Sequence, residues 1–190
     1  MVVKIWRSSV LNQFEFHHGT DVIVSTPRHF HEDFQIGFVE GGALDVLLPN
    51  IHQVASINEL FIIPPGEVHT ARSLGEVGWS YHMMYFEPNL LQQAFVETTE
   101  RNKPLSLRPF AIAEQQIRIP FQQLYQSIRE SGTVLEQQSH LLVAFAQLIV
   151  HCSEDPPPRG KEALNLCLRE YFCTSMTLNL HLPTGNTSLT

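Results

Sequence analysis

The feature that most constrains this chain is a change of hydrophobic period at Pro88. Before it, apolar residues alternate in short runs: "DVIVS" (21–25), "FQIGFVE" (34–40), "ALDVLL" (43–48), "HQVASI" (52–57), "LFII" (60–63), "VHTARS" (68–73) and "GWSYHMMYF" (78–86). Breakers separate them: "GG" at 41–42, "PN" at 49–50, "NE" at 58–59 and "PPGE" at 64–67. Short alternating runs with turn chemistry about every 10 residues predict a small antiparallel barrel or sandwich. The two glycines are expected to close a tight hairpin, with "ALDVLL" returning beside "FQIGFVE".

After Pro88 the period becomes helical. Leu90, Leu91, Ala94 and Phe95 share one helical face. Phe121, Leu124, Tyr125 and Ile128 recur at i, i+3, i+4 and i+7 behind Pro120, which is expected in a first turn. A third helix is expected from about Val134 to Cys152. Its Leu135, Leu142 and Ile149 stand seven apart with Phe145 between, a seam that joins two helices either across a dimer or back onto the barrel. "SEDPPPRGKE" (153–162) reads as a proline-rich linker, because three prolines in a row do not continue a helix. The domain plan is therefore residues 1–87 as barrel, 88–152 as helical dimerisation segment, 153–162 as linker and 163–190 as a further segment. The fold class is mainly β with α.

Charge narrows the function. The 12 Lys and Arg against 19 Asp and Glu give a net charge of −7, and the cations form no run. Phosphate binding depends on clustered cations, so direct nucleic-acid binding by this stretch is not expected. No apolar run nears the roughly 20 residues that span a bilayer, and "MVVKIWRSSV" lacks the core of a signal peptide. A cytoplasmic, non-membrane protein is expected. Cys152, Cys167 and Cys173 are odd in number and are read as reduced thiols.

The chemistry-bearing residues begin with "RHFHEDFQ". His29 and His31 are two apart, so on an extended chain both imidazoles face the same side. With Gln35, and with Pro64, Gly66 and His69 of "PPGEVH", the set is H-x-H-x-x-x-Q followed by P-x-G-x-x-H. Imidazoles from neighbouring strands can converge on a metal at bonds of about 2.1 Å. Gln35 supplies no negative charge to offset a divalent ion. Arg28 is a second candidate, since a guanidinium holds carboxylates or diols with paired bonds. In "WSYHMMYF", Trp79, Tyr81, Met83 and Tyr85 share one face and Ser80, His82, Met84 and Phe86 the other. Either face has the apolar walls and polar tips of a small-molecule pocket. Ligand-binding candidates are therefore Arg28, His31, Trp79, Tyr81 and His82. Metal candidates are His29, His31, Gln35 and His69. His17 and His18, being consecutive, point opposite ways and carry no assigned role.

These motifs resemble the cupin superfamily, in which such histidines hold a divalent metal inside a double-stranded β-helix barrel. "RHFHEDFQIGFVEGGALDV", "LFIIPPGEVHTARS" and "GWSYHMMYFEP", with the helices after them, more closely resemble the N-terminal sensor domain of AraC-family transcription regulators over residues 17 to about 152. The resemblance implies a cupin-like barrel that binds a small effector, a sugar or small organic acid. It also implies helices that form a homodimer, and DNA contact only through a C-terminal helix-turn-helix domain. "EALNLCLREYF" (162–172) resembles the start of that domain; the similarity stops there, so 163–190 is expected to hold the start of a truncated DNA-binding domain and an uncharged, aberrant or disordered tail. No catalytic residue is expected, and no cofactor beyond the divalent metal named above. The rival is a metal-dependent cupin enzyme, a dioxygenase or isomerase.

Overall fold

A computed structural model describes residues 2–76, 78–107 and 112–156. The "EALNLCLREYF" similarity, Cys167, Cys173, most of the linker and the tail lie outside the described residues. Eight strands precede three helices: β1 (Val2–Arg7), β2 (Phe14–Val22), β3 (Phe34–Gly41), β4 (Ala43–Leu47), β5 (His52–Ser56), β6 (Leu60–Ile63), β7 (Thr70–Ser73), β8 (Trp79–Phe86), then α1 (Pro88–Thr99), α2 (Gln115–Arg129) and α3 (Val134–Cys152). The mainly-β class with a helical segment is the observed one.

The strands form two antiparallel sheets, ordered β1-β2-β8-β3-β6 and β5-β4-β7. Bridges from Ser25 to Arg72 and from His29 to His69 lay the chain between β2 and β3 along the outer side of β7. Counting that stretch as a strand, the chain passes from one sheet to the other at each step from β2 onward except at the β4–β5 hairpin, which is the jelly-roll pattern of a double-stranded β-helix.

Three expectations change. The glycines at 41–42 close no hairpin: β3 pairs with β6 and β8, whereas β4 pairs with β5 and β7. Gly42, at φ +69°, instead turns the chain from one sheet to the other. A Cβ there would stand 2.3 Å from the Gly78 carbonyl oxygen, so a side chain has no room at this corner. Pro120 lies inside α2 rather than in its first turn. The helix starts five residues earlier, at the cost of one backbone hydrogen bond. Finally, β1 and most of β2 precede the first run of clean alternation.

Two cores result, one on each side of the larger sheet. Val22, Val39, Leu44, Val46, Phe61, Ile63, Trp79, Tyr81 and Met83 pack between the sheets. On the outer side, Phe14, Phe16, Phe34, Ile36, Met84 and Phe86 meet the helices through Phe95, Phe121, Leu124, Phe145 and Leu148. Helix α3 starts with Thr133 accepting a hydrogen bond from the Glu136 backbone N–H at 3.2 Å, which satisfies one orphan donor of the first turn.

The proposed dimer seam is largely consumed by this packing. Phe145 lies 5.2 Å from Phe86 and 6.2 Å from Phe14, centroid to centroid, and Ile149 belongs to the same core. Leu142 is also buried, whereas Leu135 is 60% exposed. Three of the four seam residues are therefore buried within the single chain, and the reading in which α3 packs back onto the barrel is the observed one.

Candidate functional site at the histidine end of the barrel

The turn at Pro64–Gly66 brings the two histidine segments together. Gly66, at φ +75°, donates its N–H to the His31 carbonyl at 2.8 Å. His29 and His69 exchange backbone hydrogen bonds of 3.0 and 2.8 Å, so their side chains emerge side by side. Ring centroids are 4.4 Å apart for His29–His69, 4.8 Å for His29–His31 and 5.4 Å for His31–His69. One ligating nitrogen of each lies within 4.8 Å of those of the other two. The side-sharing expected of "HFH" holds, and Phe30 between them is 59% exposed.

Two tautomers are set by neighbours. His29 Nδ1 lies 2.8 Å from the Pro27 carbonyl, and His69 Nδ1 lies 2.9 Å from that of Glu67. A carbonyl only accepts, so each Nδ1 carries the proton and donates it. The neutral ring then presents an Nε2 lone pair. Burial lowers the pKa of His31, with the neighbouring His29 and His69 acting in the same direction. Burial also lowers that of His69, against a smaller opposing effect from its bond to the Glu67 carbonyl. Burial thus favours the neutral form of both His31 and His69.

Gln35 is buried on the inner face of β3, paired in register with Tyr85 and Ile63, and its Nε2 has no hydrogen-bond partner. The Tyr85 ring is 6.1 Å from His31, and burial pushes its phenol pKa up. On β2, His17 faces the same side: its ring is 4.6 Å from Tyr85 and its Nε2 lies 2.8 Å from Glu15 Oε1. That bond, together with the guanidinium of Arg7, holds the Glu15 carboxyl below its ordinary range. His17, Glu15 and Tyr85 were not among the sequence-derived site residues. The signal was present in strand alternation, since inward-facing Met83 pairs with His17 and Tyr85 with Glu15.

The ligand candidates do not converge. Trp79 and Tyr81 face inward, but toward the other end of β8, where they stack on each other at 4.1 Å and Trp79 packs 5.8 Å from Phe61. Tyr81 covers Gly19 so closely that a Cβ there would lie 2.2 Å from its ring. Both belong to the inner core, where Trp79 Nε1 is buried without a hydrogen-bond partner. His82 is on the opposite sheet face, its ring 4.0 Å from that of Tyr125 on α2. It does not share a pocket with Trp79 and Tyr81. Arg28 is exposed on the loop before His29, and His31 alone of the five sits in the cluster.

Residues 13–145 match the family described as the AraC-like ligand binding domain. The chain belongs to that family. A curated relative, the uncharacterized HTH-type transcriptional regulator YbfI of Bacillus subtilis (strain 168), is 22% identical over 160 residues. The match covers 80% of this chain and 58% of the relative, so the chain spans little more than half that protein's length. Among solved structures, a Cupin 2 conserved barrel domain protein from Salinispora arenicola CNS-205 aligns at 14% identity and TM-score 0.40, over 48% of this chain and 79% of its own. KdgF from Halomonas sp. aligns at 23% identity and TM-score 0.37, over 45% and 79% respectively. Membership makes this stretch a domain of the AraC-like ligand-binding type. No helix among the described residues is long and apolar enough to cross a membrane.

Proposed function

We propose that this domain senses a small, neutral, hydroxyl-bearing effector such as a sugar at the histidine end of the barrel and controls transcription through the regulator of which it forms part. Family membership over residues 13–145 motivates the sensing role. The observation that carries the choice of effector is the pair of fixed tautomers at His29 and His69. Uncharged imidazoles offering lone pairs accept hydrogen bonds from hydroxyl groups, and they meet a small organic acid less well, because a carboxylate needs donors. The unpartnered Gln35 Nε2 and the Tyr85 ring supply one donor and an apolar wall. Coupling to transcription is a population shift whose size equals the effector's differential affinity for two states of the domain. Homodimerisation through the α3 seam is not part of this reading, since its residues are mostly occupied within the chain. No catalytic group is invoked.

The test is a thermal-stabilisation screen of sugars and small organic acids on the wild-type chain, repeated with His31→Ala and Gln35→Leu. A polyol hit lost in both variants is the expected result. Hits confined to acids would overturn the choice of effector, and a hit unchanged in both variants would move the site elsewhere.

A second reading rests on the same cluster. Three imidazoles from neighbouring segments fit a divalent transition metal, with the Nδ1–H bonds to carbonyls acting as the outer contacts that orient such ligands. His29, His31 and His69 would hold it, and its chemistry would be Lewis-acid activation of a bound group, as in a cupin enzyme. Metal content of protein purified without chelator, compared with that of His31→Ala, separates the readings. Stoichiometric metal lost in the variant favours this one.

A further inference from the structure

A second cluster lies on the opposite face of the large sheet, outside the barrel and apart from the site above. His18 on β2, His82 on β8 and Glu40 on β3 come from three adjacent strands, and His18 and His82 are directly paired in the register. His18 Nε2 lies 3.2 Å from Glu40 Oε2, and His82 Nε2 contacts Glu40 Oε1. One ligating atom of each lies within 4.8 Å of the others. We propose that His18, Glu40 and His82 form a three-donor site for a divalent transition metal of the zinc class, set between the sheet and α2.

Rigidity is the first support. His82 is 3% exposed and wedged between Phe38, at 4.6 Å, and Tyr125, at 4.0 Å, so the direction of its Nε2 is held by packing. Its Nδ1 is buried without a partner. Ligation through Nε2 places the ring's one N–H on that Nδ1, a cost that the metal bonds must exceed. A neutral imidazole is the ligand-competent form. The donor set, two imidazoles and one carboxylate, suits zinc and leaves a fourth position open.

Access is the second support. His18 is half-buried and Glu40 is exposed, so an ion enters from their side. The two rings stack at 4.4 Å with planes 7° apart. In-plane bonding of both to one ion requires one ring to tilt, and His18 is the ring with room to do so. Donors bound to tetrahedral zinc stand about 3.4 Å apart, given bonds of about 2.05 Å, and Glu40 already lies closer than that to both rings, so its carboxylate must swing back as the ion enters. A bound ion would tie three strands together and, through the His82–Tyr125 contact and the Tyr125 hydroxyl bond to the His17 carbonyl at 3.3 Å, hold α2 on the sheet.

The experiment is a cobalt titration followed by visible absorption, with zinc competition, on the full chain carrying His31→Ala to remove the barrel cluster. One equivalent is expected to bind, with affinity reduced at least tenfold by either His18→Ala or Glu40→Gln. Both substitutions are at part-exposed positions, and circular dichroism confirms that each variant is folded. Bound metal should also raise the midpoint of thermal unfolding, and that rise should vanish in either variant. No cobalt bound in the His31→Ala protein would overturn the site, as would affinity unchanged by both further substitutions. A cluster responding only to pH, with identical titrations with and without metal, would reassign it as a hydrogen-bonded histidine pair.

Discussion

The two faces of the five-stranded sheet are built from the same strands and filled in different ways. Along β8, Met84 and Phe86 point outward into an aromatic layer closed by α1, α2 and α3. Trp79, Tyr81, Met83 and Tyr85 point inward. The outer face carries most of the fully buried rings, among them Phe14, Phe16, Phe86, Phe121 and Phe145. The inner face is apolar only toward Trp79. Toward Tyr85 it becomes polar, with Gln35, His17, Glu15 and the histidine cluster. The difference teaches a division of labour. One face secures the fold through area and ring packing, while one end of the other keeps partly unsatisfied polar groups where a ligand can complete them.

The largest expected effect tests the outer face. Phe145→Ala removes a ring that meets both Phe14 and Phe86 and leaves a cavity in a closed layer. It should destabilise the chain by about 3–5 kcal/mol in urea unfolding. A loss below about 1 kcal/mol would mean that the helices are an appendage rather than half of the core.

A smaller loss is expected from the inner face at Gly37. An alanine Cβ would stand 2.4 Å from Phe61 Cζ and 2.8 Å from the His82 carbonyl oxygen. A ring can turn away, but the β8 backbone cannot without shifting the sheet. Gly37→Ala should cost about 1–3 kcal/mol, the range of overpacked cores. An unaffected protein would indicate slack between the sheets, and with it a larger effector space than the packing shows.

How far these contrasts were legible in the sequence depends on the kind of signal. Alternation in "GWSYHMMYF" sorted its residues into two faces, each with aromatic and polar members, but did not show which face was internal. That depends on the helices, and Phe86 and Phe145 meet across 59 positions of sequence. The histidine cluster was visible because a local rule, two residues apart on an extended chain, coincides with a turn that seats His69 opposite His29. The paired glycines misled, since positive φ serves a corner between sheets as well as a hairpin. The α3 seam left two readings open, because a seven-residue repeat marks an apolar stripe without saying what covers it. His17 and His18 were correctly expected to diverge, yet what each meets, Tyr85 on the inner face for His17 and His82 on the outer face for His18, required the register with β8.

pH should distinguish the faces without removing any packing. The pKa values of His31 and His69 are lowered in the folded chain, chiefly by burial. The unfolded chain therefore takes up protons first as pH falls, so this contribution is complete above the unfolded value of about 6.5 and is lost as pH drops toward the folded values. Stability should decline between pH 7.5 and 5.5 in the presence of a chelator. His69→Asn, which keeps a donor for the Glu67 carbonyl without titrating there, should flatten part of that decline. His82 leaves a residual slope of the same sign. An unchanged slope would place the acid sensitivity on the outer face instead.

The smallest effect is expected at Leu135, which separates a stripe used within the chain from one used between chains. Phe145 and Ile149 are already covered, so a surviving interface must begin where α3 is exposed, at Val134 and Leu135. Leu135→Glu adds charge at a solvent-facing position and should change stability by no more than about 0.5 kcal/mol. If the stripe serves only the single chain, sedimentation velocity will give the same mass for the variant and the wild type. A wild-type dimer that becomes monomeric in the variant would return an interface to the start of α3. The helical layer would then face both ways, with its first turn toward a partner and the rest toward the sheet.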